Sequence, residues 1–513
     1  LLAKGRKVRL LDAGITLEPE RAKLVAKLGS TAPEDWSKDD LQAYQAGMNP
    51  DVGGVPLKLV YGSDFAYREA EAHLGVRYEN VGLRPSLAQG GLSTVWGAAM
   101  LPYAETDVRD WPLPLSALKE HYEAVLRFTG LAATADALAR QFPLHTDSPT
   151  ELRPSSQANR LLQNLERHRP SLTKAGIHFG RARLGVRGSS ASQKDGCVYC
   201  RLCMYGCPYG YIYNSADTLA ELRKHPNFSY EDGVIVQSAR ELGSAVELSG
   251  YTRSDRQPRT WSGARAFLAT GAIPTTGILL RSLGAYGQTA TLQDSQYFLL
   301  PLLLFRKARG ATTEQLHALS QAFLELEGPN GGAPTTHLQI YSNSDLINQA
   351  VSQIFGPLKT PLRPLVKDLQ ERLLIAQGFI HSRHSSRIAV RLEKNQGAAG
   401  ETLLLRAEKN RESRARIFSL VARLCRRTWQ LGALPVPAML KIAEPGRSFH
   451  TGGSFPMSRQ PQGFQTDLLG RLPGWERLHA VDSTVLPSIP ATTITLSAMA
   501  NAHRIAWQAS ELG

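Results

Sequence analysis

Lys7-Val-Arg-Leu-Leu-Asp12-Ala-Gly14 is a short apolar run closed by an acid and two small residues, and Leu1-Leu-Ala-Lys-Gly5 before it reads as a last helical turn stopped by glycine. A helix end followed by a buried strand with an acid at its carboxyl end is the second half of a dinucleotide-binding βαβ unit. There the acid hydrogen-bonds the adenosine ribose, about 20 residues after a glycine fingerprint. The sequence starts after the place that fingerprint would occupy, so the expectation is a truncated N-terminus that lacks the loop and helix start for a pyrophosphate. Asp12 alone is as much a turn former as a ribose ligand, and the rest of the chain has to decide.

The chain has 513 residues, 42% of them hydrophobic, with 44 Gly and 30 Pro. That length and composition predict two or three globular, loop-rich domains with ample core, and exclude a disordered tail or a fibre. The net charge of +14 comes from Lys and Arg scattered among acids, with no basic stripe interleaved with aromatics. Nucleic acid is therefore not an expected partner; a basic surface suits anionic substrates or acidic electron-transfer partners. The longest apolar run, Tyr297 to Phe305, contains Pro301 and is closed by Arg306, so it reads as a buried strand and no integral membrane segment is expected. No signal peptide is visible, and the compartment, cytoplasmic or periplasmic, stays open because the start looks incomplete.

Four of the five cysteines lie in Cys197-Val-Tyr-Cys200-Arg-Leu-Cys203-Met-Tyr-Gly-Cys207-Pro208. Two-residue gaps let successive thiolates converge on one centre, and Pro208 stops a regular helix just after the last of them. Zinc sites usually draw on two separated pairs and disulfides need an oxidising compartment, so the spacing favours an iron–sulfur cluster (3Fe-4S or 4Fe-4S) over both. No second run exists, and any cluster is single. Cys425 reads as a small buried hydrophobe.

Gln89-Gly-Gly-Leu-Ser-Thr-Val-Trp96-Gly97-Ala-Ala-Met100 packs three glycines, two hydroxyls and a tryptophan together. Gly90 and Gly91 let backbone approach a flat or phosphorylated ligand, and the N–H groups after them suit an anion or a ring edge; a plain tight turn is the alternative. Alternation in Val234-Ile-Val-Gln and Ala245-Val-Glu-Leu predicts a small meander, and Ala264-Arg-Ala-Phe-Leu-Ala-Thr270-Gly271 a strand. The helix-like Ile278-Leu-Leu-Arg-Ser-Leu follows. Gly271 thus lies at a strand-to-helix crossover, where open α/β sheets bind ligands.

Ser448-Phe-His450-Thr-Gly-Gly-Ser-Phe-Pro-Met457 and Leu478-His-Ala-Val-Asp482-Ser-Thr-Val-Leu-Pro487-Ser-Ile-Pro490-Ala-Thr-Thr493-Ile494-Thr resemble the closing motifs of the glucose–methanol–choline (GMC) flavoprotein oxidoreductases. Gly90 to Gly97 and Gly271 to Leu280 continue the resemblance in family order, and only about residues 291 to 440 are poorly marked. The resemblance implies an FAD-dependent enzyme oxidising the CH–OH group of an alcohol or sugar by hydride transfer to flavin. His450 matches the active-site histidine that takes the hydroxyl proton. Asp482, Thr493 and Ile494 match the stretch along the flavin, Val236 the position whose main chain meets adenine, and Gly90, Gly91, Ser93, Trp96, Gly97 and Gly271 the cofactor loops; Asp12 becomes the ribose ligand. The chemistry agrees, since imidazole titrates near working pH and removing the hydroxyl proton assists hydride departure.

One departure is Ile489 before Pro490, where the family commonly has His or Asn, so Ser488 or the substrate domain is expected to supply the second polar group. Some bacterial sugar dehydrogenases of the family hold a cluster on three cysteines spaced like Cys197, Cys203 and Cys207. Long-chain alcohol oxidases share the Gly-Cys-Pro-Tyr-Gly sequence. The run favours a dehydrogenase that passes electrons to an acceptor protein; an oxygen-using oxidase, an electron-transfer protein and a flavin-less pseudoenzyme are the alternatives.

The expected architecture is α/β: a discontinuous FAD-binding Rossmann-like domain and a sheet-and-helix substrate domain. Residues 1–110 form its first part, 111–190 a cap segment, 191–290 the cysteine run and second part, 291–440 the substrate domain and 441–513 the last part. Tyr297 to Phe305, His337 to Tyr341 and Ile388 to Leu392 are the expected substrate-domain strands, and His381 and His384 are expected in a loop.

Overall fold

The computed structural model describes residues 1–47, 57–189, 195–328, 334–395 and 400–512. Two parallel strand pairs come from distant parts of the chain. Val8–Leu11 pairs with Phe228–Glu231, and Ala266–Leu268 with Leu478–Ala480. Helices Ala272–Ser282 and Thr495–Ala509 cover the second pair: Ile273, Ile278, Leu279, Leu496, Ala500 and Ile505 share one core with Leu268, Leu478 and Ala480. The expected meander is a three-stranded antiparallel sheet of Val234–Leu242, Ala245–Thr252 and Pro258–Gly263, with its register shifted between Val236 and Ser238. Val8–Leu11 differs from the expected buried strand: Leu10 is 39% exposed, because Phe228–Glu231 is its one partner among the described residues.

The second layer is a seven-stranded sheet in the order Ala433–Pro435, Tyr297–Leu304, Leu373–Ile380, Thr336–Tyr341, Ala322–Leu326 and Ile177–Arg181, with Lys441–Ile442 also on the Tyr297–Leu304 strand. Strand side chains alternate between faces, so one register predicts both. The row Phe298, Gly378, Leu338, Leu324, Phe179 is apolar. It packs with Leu161 and Leu165 of helix Ser156–Arg167 and with Ile417, Leu420, Val421 and Leu424 of helix Arg411–Cys425. Full burial of each such side chain stabilises by about 1.5–3 kcal/mol before the opposing conformational entropy is subtracted. The adjacent row on the opposite face is Tyr297, Phe379, His337, Glu325, His178, aromatic and polar throughout. An apolar face against helices and a polar face away from them make this sheet the wall of a site.

Ile388 to Leu392 is a strand, Arg387–Lys394, but not of this sheet. It lies between Thr289–Asp294 and Glu401–Glu408 in a separate five-stranded sheet, and Ile388, Val390 and Leu392 join the core of Leu268 and Leu478 instead. Alternation identifies a strand and its buried face but does not name the partner.

Gly378 shows how tightly the apolar row is packed. A Cβ there would lie 2.2 Å from Phe298 Cζ and 2.6 Å from Leu338 Cδ2, so Phe298 lies over the bare glycine. Gly378→Ala is expected to destabilise the protein by about 1–3 kcal/mol through overpacking, read as a lowered urea midpoint. An unchanged midpoint would reject this account of the row.

Candidate active site

His450 stands where the two layers meet. Phe449 before it takes the left-handed conformation, at φ 59°. The loop is pinned on both sides: the His450 N–H donates to Ser448 Oγ (2.9 Å), and its carbonyl accepts from Ser295 N (2.9 Å). Ser448 Oγ in turn donates to Asp294 (2.9 Å), which is fully buried and also accepts from Gly446 N (2.9 Å). Burial pushes the Asp294 carboxyl up to about 7. With the backbone fixed, the imidazole stacks on Phe379 of the seven-stranded sheet, 4.8 Å between centroids and 19° between planes. Its Nδ1 is buried with no hydrogen-bond partner. Burial first, and His337 second, hold this imidazole down at about 3, well below the titration near working pH expected from the sequence, so it is unprotonated at neutral pH.

Hydrogen bonds join the segments around this loop to it and to one another. Thr276 of the helix after Gly271 meets Ser454 (2.7 Å between hydroxyl oxygens). Asp482, beyond the Leu478–Ala480 strand, accepts from Gly271 N (2.9 Å), Thr275 Oγ1 (2.5 Å), Thr484 N (3.0 Å) and Thr484 Oγ1 (2.7 Å). Asp482 therefore braces the Gly271 crossover from inside. Thr493 Oγ1 accepts from Leu101 N (3.0 Å), which joins the last helix to the segment after Gly97.

The glycine-rich segment is anchored at both ends. Gln89 Nε2 donates to the Tyr230 hydroxyl (3.0 Å), and Tyr230 donates to Asp12 Oδ2 (3.0 Å), so Asp12 and the start of the loop share one bridge. Ser93 Oγ contacts Gly90 O (2.5 Å) and Ser215 Oγ (2.6 Å), while Trp96 Nε1 donates to Tyr213 O (2.8 Å). Both side chains thus hold the loop in shape. Val236 sits at the register shift of its strand, where main chain leaves the regular ladder. Ser488 Oγ accepts the Trp111 indole N–H (2.8 Å), so this oxygen is engaged.

An FAD cofactor can be tested against this arrangement. Gly91 (φ 57°) and Gly271 (φ 93°) both have open space where a Cβ would stand, as close approach of a ligand requires. Thr492 Oγ1 is buried and orphaned. Helix Thr495–Ala509 starts without a side-chain cap, leaving its first N–H groups for a carbonyl or anion. The residues present fit the group.

The cysteine run makes a different picture. None of the five cysteines forms a disulfide. Tyr199 (φ 60°), Arg201 (φ 68°), Gly206 (φ 101°) and Gly210 (φ 67°) are left-handed and curl the segment. Ala318 N donates to Cys203 Sγ and Tyr211 N to Cys207 Sγ, both at 3.4 Å. Burial pushes the Cys203 thiol up to about 11 and that of Cys200 to about 12. Yet among the described residues no three His, Cys, Asp or Glu side chains are gathered so that they could hold a metal ion. Cys197, Cys200, Cys203 and Cys207 are brought close without forming that ligand set. Cys425 ends helix Arg411–Cys425 against the apolar core of the seven-stranded sheet, half-buried rather than buried as expected.

Sequence reasoning missed the polar row beside His450. Glu325 in Ala-Phe-Leu-Glu-Leu and His337 in Thr-His-Leu-Gln-Ile are the signal: each is ionisable and sits inside a strand that is otherwise largely apolar. His381 is buried at the head of the turn Ser382–His384, its Nδ1 accepting from Arg383 N (3.0 Å), so it is a capping residue.

No protein-family model matches the sequence, and no curated protein does. Solved structures do match. Pyridoxine 4-oxidase from Mesorbium loti shares 14% identity at a TM-score of 0.58, over 98% of this chain and 94% of that one. A fungal aryl-alcohol oxidase shares 12% at 0.52, over 99% of both chains. An FAD-dependent oxidoreductase from Chaetomium thermophilum shares 11% at 0.53, over 98% of both. At such identities the likeness is one of fold. The chain has the α/β two-domain architecture of the GMC oxidoreductases, a discontinuous Rossmann-like domain against a sheet-and-helix domain.

Proposed function

We propose that this protein oxidises the CH–OH group of an alcohol to a carbonyl, with FAD as its bound two-electron acceptor. The observation that carries this reading is His450, an unprotonated imidazole fixed between the polar face of the sheet and a loop tied to Gly271 and Asp482. Gly90 to Gly97, Gly271, Thr492, Thr493 and the start of helix Thr495–Ala509 would hold the flavin end, with Asp12 and Val236 toward the adenosine. Bound there, the flavin supplies an oxidant that accepts a hydride from carbon. His450 orients the substrate hydroxyl and takes its proton as the carbon–hydrogen bond breaks. Tyr297 and Phe379, both 2% exposed, line the wall beside it, which favours an aromatic carbinol over a sugar.

The onward path of the electrons divides two readings. The curled cysteine segment, with Cys203 buried and the other three half-buried, supports a cluster-containing dehydrogenase with an acceptor protein. Two of the proteins sharing this fold are named oxidases, which supports oxygen as acceptor. The four thiols do not form a ligand set in this arrangement, so no electron step is drawn through them.

The test is anaerobic addition of benzyl alcohol, 1-octanol and glucose to FAD-loaded protein. Bleaching of the oxidised flavin band, fastest with benzyl alcohol, is expected. Protein that retains no flavin, or flavin that none of the three reduces, would sink the reading. Admitting air to the reduced sample separates the two acceptors: hydrogen peroxide equal to alcohol consumed marks an oxidase, whereas stoichiometric iron with acid-labile sulfide marks the dehydrogenase.

A further inference from the structure

His337 and Glu325 are directly opposed on neighbouring strands, Thr336–Tyr341 and Ala322–Leu326, so their side chains share the face that carries Phe379. Both are 0% exposed. His337 Nδ1 donates to Glu325 Oε1 at 2.5 Å. His337 Nε2 and Glu325 Oε2 are buried with no partner, as is His450 Nδ1. Phe379 stacks with both histidines, 4.8 Å from the His450 ring and 6.1 Å from that of His337 between centroids, and Phe323 meets the His337 ring edge to face at a centroid distance of 4.8 Å.

A buried ion pair is a poor structural device. Desolvating a carboxylate and an imidazolium costs several kcal/mol, and apolar residues of similar volume at the same places are commonly as stable. The apolar row one residue along this sheet demonstrates that such packing is available here. Two orphaned polar atoms on the pair, in a wall beside an orphaned imidazole nitrogen, point to a ligand group between them.

The chemistry supplies a reason. When an alcohol gives up its hydroxyl proton and then a hydride, negative charge develops on oxygen. The proton that His450 takes leaves it one hydrogen bond to that oxygen, and a second, positively charged donor lowers the barrier further. Ile489, fully buried near the site, offers only carbon, and its N–H and carbonyl are both bonded to Ser382.

Resting on the alcohol-oxidation reading above, we propose that His337, held as an imidazolium by Glu325, donates its Nε2–H to the substrate oxygen while His450 accepts the hydroxyl proton. The O–H bond breaks and its electron pair stays on oxygen; the proton goes to His450. The carbinol hydride would leave with its pair to a bound oxidised flavin as the oxygen pair closes the carbonyl. Charged and titratable groups facing the pair are His178, Asp107, Arg183 and His450. Asp107 is buried, accepts from Thr335 Oγ1 (3.3 Å), and is pushed up to about 7 by burial and by Glu325.

The test compares Glu325→Gln, His337→Gln and the apolar double variant His337→Phe/Glu325→Leu, all FAD-loaded. The read-out is anaerobic flavin reduction by benzyl alcohol from pH 5 to 9. His337→Gln is expected to lower the rate about 10²- to 10³-fold with flavin still bound. Glu325→Gln removes the charge that keeps His337 protonated. Its rate should therefore approach wild type at pH 5 and fall about tenfold per unit above about pH 6.5, a profile wild type lacks. The same profile in Glu325→Gln/Asp107→Asn would show that Asp107 is not its source. A second read-out needs no turnover: ¹⁵N-histidine NMR of the flavin-free protein should show one imidazole protonated on both nitrogens at pH 7.5, lost in His337→Gln. The double variant should fold and bind flavin but turn over slowly. His337→Gln within threefold of wild type, or a Glu325→Gln to wild-type ratio that is constant with pH, would overturn the proposal while leaving His450→Ala to judge the underlying reading. Loss of rate in the His337 variants with His450→Ala unaffected would instead remove His450 from the chemistry and keep His337.

Discussion

His450→Ala is expected to slow anaerobic reduction of bound flavin by benzyl alcohol about 10²- to 10⁴-fold, the usual cost of a lost general base. The side chain's ring nitrogens make none of the contacts that pin its loop. Those run through the backbone to Ser448 and Ser295, and alanine keeps them. Flavin content and thermal midpoint should therefore stay near wild type, while the stack on Phe379 is lost. Because the wild-type imidazole is held at about 3, the wild-type rate should not fall at mildly acid pH through protonation of this group. Stopped-flow bleaching from pH 5 to 9 measures both. A variant rate within about threefold of wild type at every pH would exclude His450 as the base.

Asp482→Ala should produce the largest stability loss of any single change at the site, about 3–5 kcal/mol by urea unfolding, with flavin binding lost alongside. Four donors end on this one carboxylate, two from the Gly271 crossover and two from Thr484. Alanine leaves the Gly271 N–H and both Thr484 donors unsatisfied, while Thr275 Oγ1 keeps Thr270 Oγ1 (2.8 Å), and the crossover that opens toward the cofactor loses its brace. The amide of Asp482→Asn keeps one acceptor oxygen, so that variant should lose less than Asp482→Ala. Equal stability of the Ala variant and wild type would mean that the crossover is held by backbone packing alone.

Local sequence determined much of this protein on its own. Gly5 and Gly271 have to end and begin helical segments because their positive φ is cheap only for glycine, and they do. The continuous apolar run Tyr297 to Phe305 and the alternation of His337 to Tyr341 marked strands that the structure contains, since both patterns belong to one chain segment alone. The family resemblance singled out His450 and Asp482, and the structure has each just outside a short strand, Thr451–Gly452 and Leu478–Ala480.

Only the tertiary structure decided which of these strands are neighbours, and the candidate chemistry depends on that choice. Ile388 to Leu392 alternates like the others but went to a different sheet, because its buried face matched a different core. Glu325 and His337 are twelve residues apart in sequence and meet through cross-strand register, which no local pattern encodes. The cysteine run shows the reverse limit: spacing brought four thiols close, but ligand geometry needs side-chain directions set by the whole surrounding fold. Local periodicity follows from the geometry of a single chain segment, whereas register and convergence follow from which apolar faces bury one another.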